Sequence, residues 1–176
     1  MNLDLLRIYL NDHLMGSVAG LEMAKRARAE NEDNPVGEFL GTFIEDLQQD
    51  RATLKNVMRA LGFKEDVFKQ GMAWMGEKLG RFKLNGQLTG YSPLSRVVEL
   101  EALCLGNEGR LGMWRTLRSL AGEDVRLGRF DFAVHIHRAE HHRRTLERLR
   151  QKASDAAFRD SEEGSLLRLT PTREPG

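Results

Sequence analysis

Seven polar side chains interrupt the apolar faces of the helices that this sequence predicts. They are His13, Asp50, Arg51, Glu101, Glu108, His135 and His142. Ionisable groups are rarely buried without partners, because removing them from water costs several kcal/mol. We therefore expect this set to form either a structural polar network in the core or a metal or catalytic site.

The metal hypothesis depends on helical spacing. The two histidines of the last predicted helix lie two turns apart, and the two glutamates of the preceding helix have the same spacing. Imidazoles and carboxylates from four helices can form a site for iron, manganese or zinc, in an oxidoreductase or a metal store. The candidate ligands are Glu101, Glu108, His135, His142, His13 and Asp50.

Arginines near the same faces favour the polar network, which needs no cofactor. Arg51 could pair with Glu108 through bidentate hydrogen bonds, and Arg143 could pair with Glu101 or Asp50 in the same way. Such pairs would fill the polar layer without a metal. If the partner of Glu108 is buried, Glu108→Ala should destabilise the fold by ~3–5 kcal/mol.

Four long helices must position these side chains. Apolar residues recur at three- and four-residue steps over about 2–30, 35–61, 93–121 and from 132 onwards. No run alternates between apolar and polar residues, so we expect no sheet. Gly62 should end the second helix. N-cap residues, two of them followed by proline, mark three of the starts: Asn34-Pro35, Ser92-Pro93 and Asp131.

The order of these helices predicts an all-α bundle over residues 1–153. The connection 63–91 is long, and its apolar residues predict an additional helix inside it. A crossing of this length would let the second and third helices run parallel. Residues 154–176 are polar and contain two prolines, so we expect a mobile tail.

The helix lengths, the long crossing and the mid-helix carboxylates and histidines resemble those of the ferritin-like four-helix bundles. The stretch LNGQLTGYSPLSRVVELEAL resembles a divergent, uncharacterised bacterial branch of that superfamily. Its metal-binding members place a Glu on each of two helices and a Glu-x-x-His pair on each of the other two. This chain has no Glu-x-x-His, since Glu45 is followed by Gln48 and Glu140 by Arg143. The resemblance therefore implies a ferritin-like bundle without the di-iron motif.

The amino-acid composition limits which classes of binding partner we expect. Lys and Arg total 27 against 26 for Asp and Glu, so we expect neither nucleic acid nor an anionic membrane as a partner. The single cysteine, Cys104, excludes an intrachain disulfide and is typical of a reducing compartment, and no apolar run could span a bilayer. We expect a cytoplasmic, non-catalytic binding or assembly protein, with a second copy of itself or another protein as its partner.

Overall fold

Helices make up most of the chain that the structure, a computed structural model, describes: residues 1–65 and 91–159. The predicted all-α class is confirmed, since no strand occurs in these two ranges. None of their helices is long and apolar enough to cross a membrane. The helices are α1 (Leu3–Ala29), α2 (Pro35–Ala60), α3 (Pro93–Leu120), α4 (Val125–Gly128) and α5 (Phe132–Phe158).

The helix boundaries follow from local signals in the sequence. The side chains of Asn34, Ser92 and Asp131 each accept a hydrogen bond from a backbone N–H of the first turn, at 2.9–3.0 Å. They are N-caps, as predicted. Gly62 follows the end of α2 with φ at 76°, a left-handed conformation that glycine adopts without steric cost.

Two parts of the chain differ from the sequence prediction. The one-turn helix α4, capped by Asp124, was not predicted, and it buries Leu127 completely. Helix α5 continues through Phe158, beyond the predicted boundary at 153, because Ala153 and Ala157 still pack on the core. Residues 154–158 are therefore helical rather than part of the tail. The predicted crossing helix and the rest of the tail lie outside the described residues.

The helices form two hairpins, α1 with α2 and α3 with α5, which pack side by side through α1 and α3. Arg26 of α1 lies 2.8 Å from Glu99 near the start of α3. The amino group of Met1 lies 3.9 Å from Glu123, just beyond the end of α3. Helices α1 and α3 are therefore antiparallel.

Helices α2 and α3 run in the same direction. The guanidinium of Arg110 lies 5.6 Å from the ring centre of Phe43, and further along both helices the Trp114 indole donates to Asp50 at 3.1 Å. Parallel neighbours need a connection that returns the chain to the same end of the bundle. The long connection predicted from the sequence meets this requirement.

The core consists of two separate apolar clusters, one toward each end of the bundle. The first includes Leu10, Leu54, Leu111, Trp114 and Ile136. The second includes Leu21, Leu40, Phe43, Leu100 and Leu146. Along the long helices the buried members of the two clusters are separated by two to three turns, and most of the buried polar residues occur at that level.

A buried polar cluster joins the start of α3 to the α1–α2 turn. Glu99 is buried and accepts hydrogen bonds from Arg26 Nε and from the Tyr91 hydroxyl, both at 2.9 Å. Asn31 Nδ2 donates to the Tyr91 oxygen at 3.1 Å. Burial raises the pKa of Tyr91, so its hydroxyl stays protonated and can donate.

Candidate functional site

The carboxylate of Asp50, only 3% exposed, is the centre of the polar region between the two apolar clusters. Its Oδ1 accepts from His135 Nδ1 at 2.7 Å and from Arg138 Nη1 at 3.2 Å. Its Oδ2 accepts from Trp114 Nε1 at 3.1 Å and lies 3.4 Å from Arg110 Nη1. Both oxygens are therefore engaged by donors from α3 and α5, which offsets the cost of burying the charge.

His142 is buried beside this carboxylate and links α5 to α2 and α3. Arg110 Nη2 lies 2.7 Å from its Nδ1, and Asp46 Oδ2 lies 3.0 Å from its Nε2. A guanidinium can only donate, so Nδ1 accepts and Nε2 carries the proton that is donated to Asp46. Burial, reinforced by Arg110, lowers the pKa of His142 to about 3, which keeps the ring neutral at pH 7.

Further hydrogen bonds hold Arg110 in place. Its Nη2 donates to Asn107 Oδ1 at 2.7 Å, and Asn107 Nδ2 donates to the carbonyl of Ala139 at 3.0 Å. Arg138 Nε lies 3.2 Å from Asp46 Oδ1. We call the following set the polar layer: Asp46, Asp50, Asn107, Arg110, His135, Arg138 and His142. Its two carboxylates are balanced by its two arginines.

The structure places three of the six predicted metal ligands in the polar layer, namely Asp50, His135 and His142. The other three lie elsewhere. His13 is on α1, with its ring edge-on to Tyr9 at 4.5 Å. Within the two described ranges, no group of three or more His, Cys, Asp or Glu side chains is arranged to hold a metal ion. The guanidinium of Arg138 contacts both carboxylates instead, Asp46 and Asp50, each at 3.2 Å.

The prediction that Glu101 and Glu108 lie in the core was wrong. The side chains of both are 51% exposed, and their nearest cationic groups are Arg150 at 3.6 Å and Arg143 at 3.8 Å respectively. Each glutamate follows a buried residue by one position, and one position turns the side chain by about 100° around the helix. That rotation moves them from the core edge into solvent.

The arginines of the polar layer were also assigned to the wrong positions. Arg143 is half-exposed and pairs with Glu108, and Arg51 does not pair with Glu108. The guanidiniums that reach Asp50 are those of Arg110 and Arg138.

Sequence reasoning missed four members of the polar layer, and a signal for them existed. Asp46 lies one turn before Asp50, and Arg138 lies one turn after His135 on the same helix face. The other two, Asn107 and Arg110, lie on the apolar stripe of α3.

A cavity of about 250 Å³ lies beside the polar layer, between α1, α2 and α3. Its lining is mostly apolar. Trp114 belongs to the polar end of this lining, because its indole N–H is held by Asp50 while its ring stacks on His135 at 4.5 Å. The main apolar side chains of the wall are Phe43, Leu54, Leu103, Met113 and Trp114.

Four glycines from two facing helices line the same cavity: Gly16 and Gly20 of α1, and Gly106 and Gly109 of α3. A Cβ at three of them would have no heavy atom within 4 Å, and at Gly109 it would meet only His13 Cε1 at 3.9 Å. Glycine inside a helix costs about 1 kcal/mol relative to alanine. Close packing does not require these glycines. Gly16, Gly106 and Gly109 are exposed and Gly20 is half-buried, so the cavity opens to solvent along them.

Arg51 and Arg110 are among the polar residues that line the cavity. Among the described residues, no hydrogen-bond partner exists for Nε and Nη1 of Arg110 or for Nε of Arg51, and these atoms are buried with almost no accessible surface. His13 and Ser17 contribute polar groups from α1. Burial lowers the pKa of His13, so its ring is neutral at pH 7 and can accept one hydrogen bond.

This arrangement can bind a small molecule. Its apolar wall can cover an organic group, while a few fixed N–H donors can orient a polar one. No family model, no curated protein and no solved structure matches this chain.

Proposed function

We propose that this chain is a non-catalytic helical protein that binds a small, largely apolar organic molecule between α1, α2 and α3. The observation that supports this most strongly is the set of four glycines around one cavity, at positions where an alanine methyl would fit. Each glycine weakens its helix without improving packing. A bound molecule would explain why glycine occurs at these positions, because side chains there would narrow the binding site.

The size of the cavity supports the same proposal. Cavities in protein cores destabilise by ~24 cal/mol per Å³, so 250 Å³ corresponds to at most about 6 kcal/mol. That is an upper bound, because the glycine side of the cavity admits water. An apolar cavity of about 150 Å³ is already large enough for benzene. A ligand that fills the space would therefore restore stabilising contacts.

Binding without catalysis is favoured by how the reactive groups are used. Both oxygens of Asp50 already accept from donors, and both ring nitrogens of His142 have partners. Groups held in this way orient neighbours and are poorly placed to transfer protons to a ligand. The resemblance to ferritin-like bundles that lack the di-iron motif is part of this proposal. The parallel α2 and α3 support it.

The test uses the methyl group of Met113 as a reporter in the cavity wall. Protein labelled with ¹³C-methyl methionine is titrated with toluene, phenylacetate and phenylacetamide, and NMR follows the Met113 signal, which is assigned with Met113→Leu. We expect saturable shifts for at least one compound and a higher melting temperature with it. We expect Gly106→Leu, which puts a side chain at the cavity, to abolish the shifts.

Gly112→Leu is the matched control. Gly112 is on the same helix, exposed, with no heavy atom within 4 Å of its Cβ position, but it does not line the cavity. Both variants gain the same helix propensity, so a difference between them reports on the cavity alone. If no compound shifts Met113, or if Gly112→Leu abolishes binding as fully as Gly106→Leu, the proposal is wrong.

A further inference from the structure

Building on the proposed binding of a small molecule, we infer that the ligand carries one carboxylate, which Arg110 and Arg51 hold at the polar end of the cavity. Arg110 is 8% exposed and lines the cavity. Its Nη1 lies 3.4 Å from Asp50 without forming a hydrogen bond, and its Nε has no partner within the described ranges. A buried guanidinium whose donors are not all satisfied is stabilised by a further negative charge beside it.

Arg51 provides the second cation. It is half-buried on α2 and lines the same cavity, and its Nε is buried. No described residue forms an ion pair or a hydrogen bond with its side chain. The guanidiniums of two cavity-lining residues thus lie at one end of the same cavity, and the planar fork of each matches a carboxylate.

The charge balance favours one negative charge on the ligand. Within the polar layer, Asp46 and Asp50 are already balanced by Arg110 and Arg138. Arg51 adds one positive charge beside the cavity. A carboxylate would neutralise this charge, whereas a dianion such as a phosphate monoester would be repelled by the buried Asp50, which also lines the cavity.

The volume indicates the rest of the ligand. A benzene ring occupies a cavity of about 150 Å³, which leaves room in 250 Å³ for a carboxylate and one or two linking carbons. Phe43 and Trp114 belong to the wall, and aromatic rings pack favourably edge-on or offset against one another. An arylalkanoic acid, such as phenylacetate or phenylpropionate, has the required size and charge.

The experiment compares phenylacetate, phenylacetamide and phenyl phosphate by calorimetry and by the Met113 methyl signal. We expect phenylacetate to bind about tenfold more tightly than its uncharged amide, as expected for a charge-assisted hydrogen bond. Arg51→Gln should remove that preference by weakening phenylacetate about tenfold while leaving the amide unchanged. Because Arg51 has no described partner, the variant should fold normally, which its melting temperature checks.

Arg59→Gln is the matched control, since Arg59 is exposed on α2, its side chain donates to Asn56 one turn away, and it lies outside the cavity lining. It should leave all affinities unchanged. Equal binding of acid and amide, no effect of Arg51→Gln, or tighter binding of phenyl phosphate would each overturn the carboxylate inference while small-molecule binding stands. If none of these three compounds shifts Met113 and toluene does not shift it either, both proposals fail.

Discussion

At the scale of single residues, a buried carboxylate and an exposed one contribute differently to the stability of the protein. Asp50 and Glu108 both lie near arginines, but Asp50 is buried with four donors around it, whereas Glu108 is half-exposed with one guanidinium at 3.8 Å. Water can replace the partner of Glu108 if it is lost. Loss of Asp50 would leave Arg110, which is only 8% exposed, without the carboxylate that it shares with Arg138.

Asp50→Ala should therefore lower the free energy of unfolding by ~3–5 kcal/mol, because it leaves buried guanidiniums without their counter-charge. Glu108→Ala, which the sequence predicted to be equally damaging, should cost less than ~1 kcal/mol because the pair is exposed. Urea denaturation at pH 7 measures both. Equal losses in the two variants would contradict the assignment of Asp50 as the centre of the polar layer.

His142 makes the stability depend on pH. Its pKa is about 3 in the folded protein against 6.5 for the free side chain, so below pH 6.5 the unfolded state binds more protons. Stability from this group is complete above pH 6.5 and falls toward pH 3. The slope approaches ~1.4 kcal/mol per pH unit for one proton.

His142→Gln removes the titrating ring, so its stability should fall less steeply from pH 6.5 to pH 4 than that of the parent. His141→Gln is the control, because His141 is the exposed neighbour on the same helix. Denaturation curves at several pH values give the comparison. Parallel pH profiles for the parent and His142→Gln would show that His142 is not the buried neutral group described above.

At the scale of elements, the α1–α2 turn depends on a close approach of backbones. A Cβ on Gly37 would overlap the carbonyl oxygen of Asn31, which itself accepts from the backbone N–H of Asn34 at 3.2 Å. At Gly41, one turn later, the nearest atoms are in the flexible Arg28 side chain at 3.6 Å or more. The same helix therefore contains a glycine that is required and one that is not.

Gly37→Ala should destabilise the protein by ~1–3 kcal/mol, because the backbone of the turn must move. Gly41→Ala should instead stabilise it by up to ~1 kcal/mol through helix propensity. Thermal unfolding followed by circular dichroism distinguishes the two. A stabilised Gly37→Ala protein would mean that the turn does not pack as closely as described.

Element boundaries were predictable where a single local interaction sets them. The N-caps Asn34, Ser92 and Asp131 bond within their own first turns, so their identity appears in the sequence. The helix α4 was not predictable, because four residues are too few to show a period. The last turn of α5 was missed because Ala153 and Ala157 contribute little hydrophobicity although they pack on the core.

At the scale of the whole molecule, the bundle is stabilised by apolar clusters toward both ends and carries its polar chemistry between them. The sequence predicted that ionisable groups lie in the core, but it did not predict which of them form hydrogen bonds or ion pairs with one another. Contacts such as Asp46 with His142 depend on the relative height and rotation of α2 and α5. The periodicity of apolar residues shows which face of each helix is buried, but it does not define the relative height or rotation of two helices.

The cavity could not be predicted from the sequence, because it exists only where two separate helices present glycines to each other. Gly16 and Gly106 are far apart in the chain, and each alone indicates only a weakened helix. They line one cavity only because α1 and α3 pack against each other in antiparallel orientation. The proposed function is therefore a property of the assembled bundle rather than of any motif.

The most direct measurement is a crystal structure of the protein soaked with 4-bromophenylacetate, with the anomalous signal of bromine recorded. We predict a bromine peak inside the cavity between α1, α2 and α3, with the carboxylate within hydrogen-bond distance of Arg51 and Arg110. A bromine peak only on the outer surface, or none at saturating ligand, would contradict this prediction.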